Sequence, residues 1–210
     1  PEPHTELRFA RKADDSRDAV NGLLMGFTAD EKAEGVASVL VPAGLTQGFA
    51  RLVVILGHGS TSLNNPHESA YNCGACGGRH GSPNARLFAA MANRPEVRVH
   101  LRDRGIDIPD DTWFIGGYHD TCSDDIELFD LDILPATHHT DLARSRKALD
   151  EARARNAHER VRRFASCPAT AGPMEALRHV EERSEHLAQP RPEYGHSTNA
   201  VCIVGRRSLT

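Results

Sequence analysis

A chain of 210 residues, 39% apolar and 26% charged, is long enough to bury a core and ordinary enough in composition to be globular. Its net charge of -4 gives no reason to expect nucleic acid, and its longest apolar run, Leu87 to Ala92, has six residues where a membrane span needs about 18. Any membrane role is therefore expected to be peripheral. Five cysteines at uneven spacing argue against a disulfide framework and for reduced thiols in a cytoplasmic setting.

Residues 1–14 read as disordered and carry no signal-peptide segment. The stretch DSRDAVNGLLMGF suggests a short helix ending near Gly26. Thr28 and Glu31 have capping-box spacing, which predicts a second helix from Ala29 to about Leu40, stopped by Pro42 and Gly44. RLVVIL is short, apolar and β-branched, as a strand covered on both faces would be. His58 is then expected just past its C-terminal end, the edge where ligands collect in α/β sheets.

Ser82 and Pro83 form an N-cap and N1 pair for a helix with an apolar stripe of Ala85, Leu87, Phe88 and Met91. A shorter helix follows from about Pro95 to Gly105. TWFIGGYHD and DIELFDL read as strands separated by the polar turn TCSD. Leu142, Leu149, Ala152, Val161 and Phe164 mark a long charged helix, and Met174, Leu177, Val180, Ser184 and Leu187 another, joined by SCPATAGP. AVCIV reads as a last strand. The order of elements gives an α/β class with no internal repeat.

The segment GHGSTSLNNPHESAYNCGACGG concentrates the candidate chemistry. A thioredoxin-like reading of Cys73 and Cys76 wants a helix to begin at the first thiol, whereas two glycines follow and the helix waits until Pro83. A four-cysteine zinc ribbon needs a second CxxC, and none exists. His58 and Cys73 offer the nitrogen and sulfur donors that zinc takes, yet two ligands are too few for a complete site. Equally, His58 could hydrogen-bond within a turn while Cys73 packs as a small apolar residue. Cys122 and Asp124, in HDTCSDD, read as a structural turn, because Asp and Ser accept backbone hydrogen bonds there. His138, His139, His158, His179 and His186 read as solvated surface.

The segments GHGSTSLNNPHESAYNCGACGG, GSPNAR, VRVHLRDRGIDIPDDTWFIGGYHDT and RPEYGHSTNAVCIVGRRSLT, in this order, closely resemble the C-terminal half of the catalytic core of the DabA family. The resemblance covers nearly all of residues 15–210. It implies a β-carbonic anhydrase-like α/β core, a largely parallel sheet flanked by helices, incomplete in this chain. It also implies Zn2+ held by two cysteines, a histidine and an aspartate. His58 matches the family's zinc histidine and Cys73 its second zinc cysteine, 73 − 58 = 15 residues on. Asn64, Asn65, Gly77 and Gly78 would flank the metal without binding it, around an insertion that includes Pro66.

The family's remaining two ligands come from an earlier C-x-D-x-R motif, and residues 1–57 contain no cysteine. No catalytic residue is therefore assigned in this chain; the Asp-Arg pair is expected upstream. Cys122-Ser-Asp124 does not replace the motif, since Ile126 stands where the arginine should be. The implied chemistry is CO2 hydration to bicarbonate, with zinc lowering the pKa of water to about 7. The implied setting is an energy-coupled carbon uptake complex at the cytoplasmic face of the cell membrane, beside a DabB-like cation-translocating membrane subunit.

Overall fold

The computed structural model describes Leu7, Arg11 and residues 26–61, 72–189 and 191–192. The expectations for residues 1–14, for most of DSRDAVNGLLMGF, for Asn64, Asn65 and Pro66, and for AVCIV lie outside these residues. Those described form α1 (Ala29–Leu40), β1 (Leu52–Gly59), α2 (Ser82–Ala92), α3 (Pro95–Arg102), β2 (Trp113–Asp120), β3 (Ile126–Leu128), α4 (His139–Val161) and α5 (Pro173–Glu185). Single 3-10 turns occur at Gly74–Cys76, Leu131–Ile133 and Ala136–His138.

Helix α1 begins where its capping box predicts. The Thr28 N–H donates to Glu31 Oε2 at 2.7 Å and the Glu31 N–H donates to Thr28 Oγ1 at 3.2 Å, so two otherwise orphaned amides are satisfied. Helix α2 departs slightly from expectation. Ser82 lies inside the helix, and Gly81 occupies the cap position without a side-chain hydrogen bond.

The sheet has the order β1-β2-β3. β1 and β2 pair in parallel from Leu52 opposite Trp113 to Gly59 opposite Asp120, and β3 returns antiparallel on β2. The α/β class is thus observed, while the sheet among the described residues is mixed and not largely parallel. The reason is the connection: Thr121 to Asp125 is a tight turn, and a parallel return needs a crossover of a dozen residues or more. β1 pairs on one side only among the described residues.

Helix α2 packs on the sheet, and α1 and α3 pack against α2 and each other. Val36, Leu40, Phe88, Val97, Leu101, Ile106, Ile108 and Phe114 are buried there, with Val53 and Ile55 of β1 against them. Two strand glycines permit this closeness. A Cβ at Gly116 would lie 2.5 Å from Arg86 Cα, and one at Gly57 would lie 2.2 Å from the Gly81 carbonyl carbon. Helix α2 and its entry therefore rest directly on strand backbone.

Helices α4 and α5 form a separate hairpin with its own buried cluster of Ala154, Ala157, Val161, Cys167, Ala171, Ala176, Leu177 and Val180. Met174 and Leu187, read as part of the apolar stripe, are 60% and 78% exposed. Met174 lies in the first turn of α5, and Leu187 lies two residues beyond its end, outside the helix whose period was read.

Candidate metal centre

His58 is the penultimate residue of β1, not a residue beyond it, because the strand continues through Gly59. It still occupies the C-terminal edge of the parallel pair. The register sets it opposite His119 of β2, and in-register parallel neighbours project to the same sheet face.

The loop carrying Cys73 is fastened to this strand end at two points. Asn72 is buried, and its Oδ1 accepts the N–H of the fully buried Ser60 at 2.8 Å. Eight residues after Cys73, the Gly81 N–H donates to the His58 carbonyl oxygen at 2.7 Å. Between these points the Cys73 N–H donates to the Arg79 carbonyl at 3.0 Å, closing the loop on itself. Cys73 is thus returned to the strand end that bears His58, and both are half-buried.

The turn after Cys73 is tight. The amides of Cys76 and Gly78 both donate to the Cys73 carbonyl, at 3.0 and 3.1 Å, and Gly77 and Gly78 take φ of 68° and 76°. Such left-handed backbone suits glycine. The two glycines expected beside the metal therefore shape the turn that presents Cys73.

Cys76 faces Cys73: its Sγ donates to Cys73 Sγ at 2.8 Å. That hydrogen bond, with burial and the charge on Cys73, pushes the Cys76 thiol above its ordinary value; Asn84, whose Nδ2 donates to Cys76 Sγ at 3.3 Å, opposes the shift.

His58 and Cys73 supply one imidazole nitrogen and one sulfur, donors that suit zinc. No group of three or more His, Cys, Asp or Glu side chains able to hold an ion occurs among the described residues. Two donors are fewer than the four of a tetrahedral zinc site.

The family model described as "Probable inorganic carbon transporter subunit DabA" matches residues 1–210. The chain belongs to the DabA family. It is 62% identical over 184 residues, 88% of its length, to "Probable inorganic carbon transporter subunit DabA 2" of Sorangium cellulosum (strain So ce56). It is 51% identical over 98% of its length to the protein of that name in Rhodopirellula baltica, and 50% identical over its full length to the DabA protein of Nitrosococcus oceani. The chain spans 18% to 19% of the length of these relatives. No solved structure matches.

Elsewhere in this DabA chain, the turn reading of HDTCSDD agrees with the structure. Cys122 is fully buried, and the Asp120 carboxylate accepts the Cys122 N–H at 2.8 Å together with the hydroxyl and amide of Thr61. What the sequence did not reveal is Asp124. It is 1% exposed and has φ of 64°, and its carboxylate accepts from Arg160 at 3.0 Å and Asn156 at 2.9 Å, with His119 Nε2 at 3.1 Å. The partners on α4 lie 32 and 36 residues away, so no local pattern could announce them. His138, read as surface, is buried with its Nε2 2.8 Å from the Asp111 carbonyl oxygen.

Proposed function

We propose that this chain supplies half of a zinc centre, His58 and Cys73, to a DabA subunit that hydrates CO2 to bicarbonate during inorganic carbon uptake. The observation that carries this reading is the double fastening of the Cys73 loop to the end of β1, through Asn72 to Ser60 and Gly81 to His58. The two ties hold Cys73 at the strand end that bears His58, which is where a shared metal would need it. The relatives' printed name, an inorganic carbon transporter subunit, supports the setting.

The missing cysteine and aspartate belong, in this reading, to a C-x-D-x-R segment elsewhere in the subunit, on a strand laid along the open side of β1. Zinc, when bound, supplies the Lewis acidity that makes water a competent attacker of CO2 near neutral pH. The chain's own residues hold the metal from one side and fix its position relative to the sheet edge. The subunit is proposed to sit peripherally on the cytoplasmic face of the membrane through a DabB-like cation-translocating partner. No helix of the described residues is long and apolar enough to cross a membrane.

Replacing His58 or Cys73 by alanine in the full-length subunit is expected to abolish zinc retention and growth at air levels of CO2 in cells that depend on the complex. Cys122→Ala is expected to retain both. Loss of growth in Cys122→Ala at normal protein abundance, or full zinc content in His58→Ala, overturns the reading. A second reading rests on the 2.8 Å approach of Cys76 to Cys73: a binding or assembly module in which the glycine-rich CxxC serves structure or thiol chemistry alone. Cys76→Ala separates the two, since the zinc reading expects metal content to survive it.

A further inference from the structure

The metal reading takes Cys73 and leaves Cys76 without a task, although the two sulfurs face each other across the CxxC turn. We propose that Cys73 and Cys76 form a reversible redox pair, and that their oxidation to a disulfide by a peroxide takes Cys73 away from the metal and switches the centre off. The metal consequence rests on the zinc reading; the redox pair stands on geometry alone.

Three observations carry it. The two sulfurs lie 2.8 Å apart, so closing to a bond of about 2.05 Å requires a movement of less than 1 Å. The backbone is already bent for it, because the Cys73 carbonyl accepts two amides from within the turn and Gly77 and Gly78 absorb the left-handed backbone that follows. Both thiols are half-buried rather than sealed in the core, as Cys122 and Cys167 are. Cys73 is the sulfur that meets the peroxide, and Cys76, 2.8 Å away, resolves it.

The chemistry balances in two steps. The Cys73 thiolate attacks one oxygen of hydrogen peroxide, breaking the O–O bond; with one proton taken up, water leaves and Cys73 becomes a sulfenic acid. The Cys76 thiol then displaces the sulfenic hydroxyl as a second water, giving the Cys73–Cys76 disulfide. Two thiols are oxidised by two electrons and one peroxide is reduced to two waters. A dithiol reductant reverses the change by thiol–disulfide exchange.

The test uses the full-length DabA subunit, treated with hydrogen peroxide and then with an alkylating reagent. Peptide mass spectrometry is expected to find the peptide spanning Cys73 and Cys76 unalkylated and about 2 Da lighter, with dithiothreitol restoring two alkylatable thiols. In Cys76→Ser the same dose is expected to carry Cys73 on to a sulfinic acid, about 32 Da heavier and not recovered by dithiothreitol. Zinc release, followed with a chromophoric chelator, should accompany disulfide formation and reverse on reduction and resupply of zinc. The redox pair is overturned if both thiols stay alkylatable at doses that oxidise Cys73 in Cys76→Ser, or if Cys73 pairs with another cysteine. A disulfide that forms and reverses in a subunit that holds no zinc when reduced supports the pair and overturns the metal reading instead.

Discussion

At the scale of single residues, Asp124 bears more of the structure than its turn sequence implies. A carboxylate that is 1% exposed must be compensated, and Arg160, itself 7% exposed, provides the charge while Asn156 and His119 complete the shell. Removing one partner of a buried ion pair typically costs about 3–5 kcal/mol, because the other charge stays desolvated. Asp124→Asn keeps the side-chain size and a residue type tolerant of the left-handed backbone. It is therefore expected to lower unfolding free energy by about 3 kcal/mol, the low end of that range, since Arg160 also donates to the carbonyls of Thr121 and Cys122. Asn156→Ala, which removes one hydrogen bond and leaves the ion pair, should cost about half as much. Chemical denaturation of the two variants checks the order; equal effects would show that the pair contributes no more than a neutral contact.

At the scale of elements, Gly57 decides whether the loop can return to its strand. Its substitution by alanine places a methyl 2.2 Å from backbone atoms of Gly81, which cannot rotate away as a side chain could. Gly57→Ala is expected to cost about 3 kcal/mol and to reduce zinc retention in the full-length subunit even where the protein folds. Gly74→Ala serves as the control on the same loop, because a Cβ there meets nothing within 4 Å. If Gly74→Ala loses metal and Gly57→Ala keeps it, the fastening described here is not what places Cys73.

The elements also show what could be read in advance. Thr28 and Glu31 located α1 because a capping box is a local bargain between residues three apart. The apolar alternation of TWFIGGYHD located β2. β1 ran three residues past its apolar stretch because its length is set by pairing with β2, which no local composition records. The direction of β3 was implicit in the short TCSD turn, though apolar patterning alone does not distinguish parallel from antiparallel neighbours. The place of His58 at the C-terminal edge of β1 was legible from the apolar run before it. The approach of Cys76 was not, because it depends on how the 3-10 turn orients two side chains three residues apart.

At the scale of the whole molecule, the proposed half-site and the edge of β1 that has no partner among the described residues predict how these 210 residues behave alone. Complete structural zinc sites gain about 10–16 kcal/mol from binding, and two ligands cannot recover most of it. The isolated chain is expected to hold substoichiometric zinc after a chelator wash, to hydrate no CO2 above background, and to self-associate through the edge of β1 that has no partner among the described residues. Metal analysis with size-exclusion chromatography and a stopped-flow assay checks this. One firmly held zinc on a monomer that turns over would mean that residues within the chain complete the site.

The division between the sheet with its three helices and the α4–α5 hairpin has a consequence for cooperativity. Each body buries its own apolar cluster, and the joint between them is polar, made where Arg153 and Arg160 reach the β2–β3 turn through the Asp124 carbonyl, the Asp124 carboxylate and Asp125. Free energy stored in a few charged contacts couples two bodies less tightly than a shared apolar core, so each can open as a unit of its own. Native-state hydrogen exchange is expected to sort the amides of α4 and α5 into one class of opening free energy and those of β1, β2 and α2 into a higher one. Asp124→Asn should slow neither class, and should hasten exchange of the hairpin more than that of the sheet. A single opening energy shared by both bodies would mean that the polar joint transmits stability as fully as packing does.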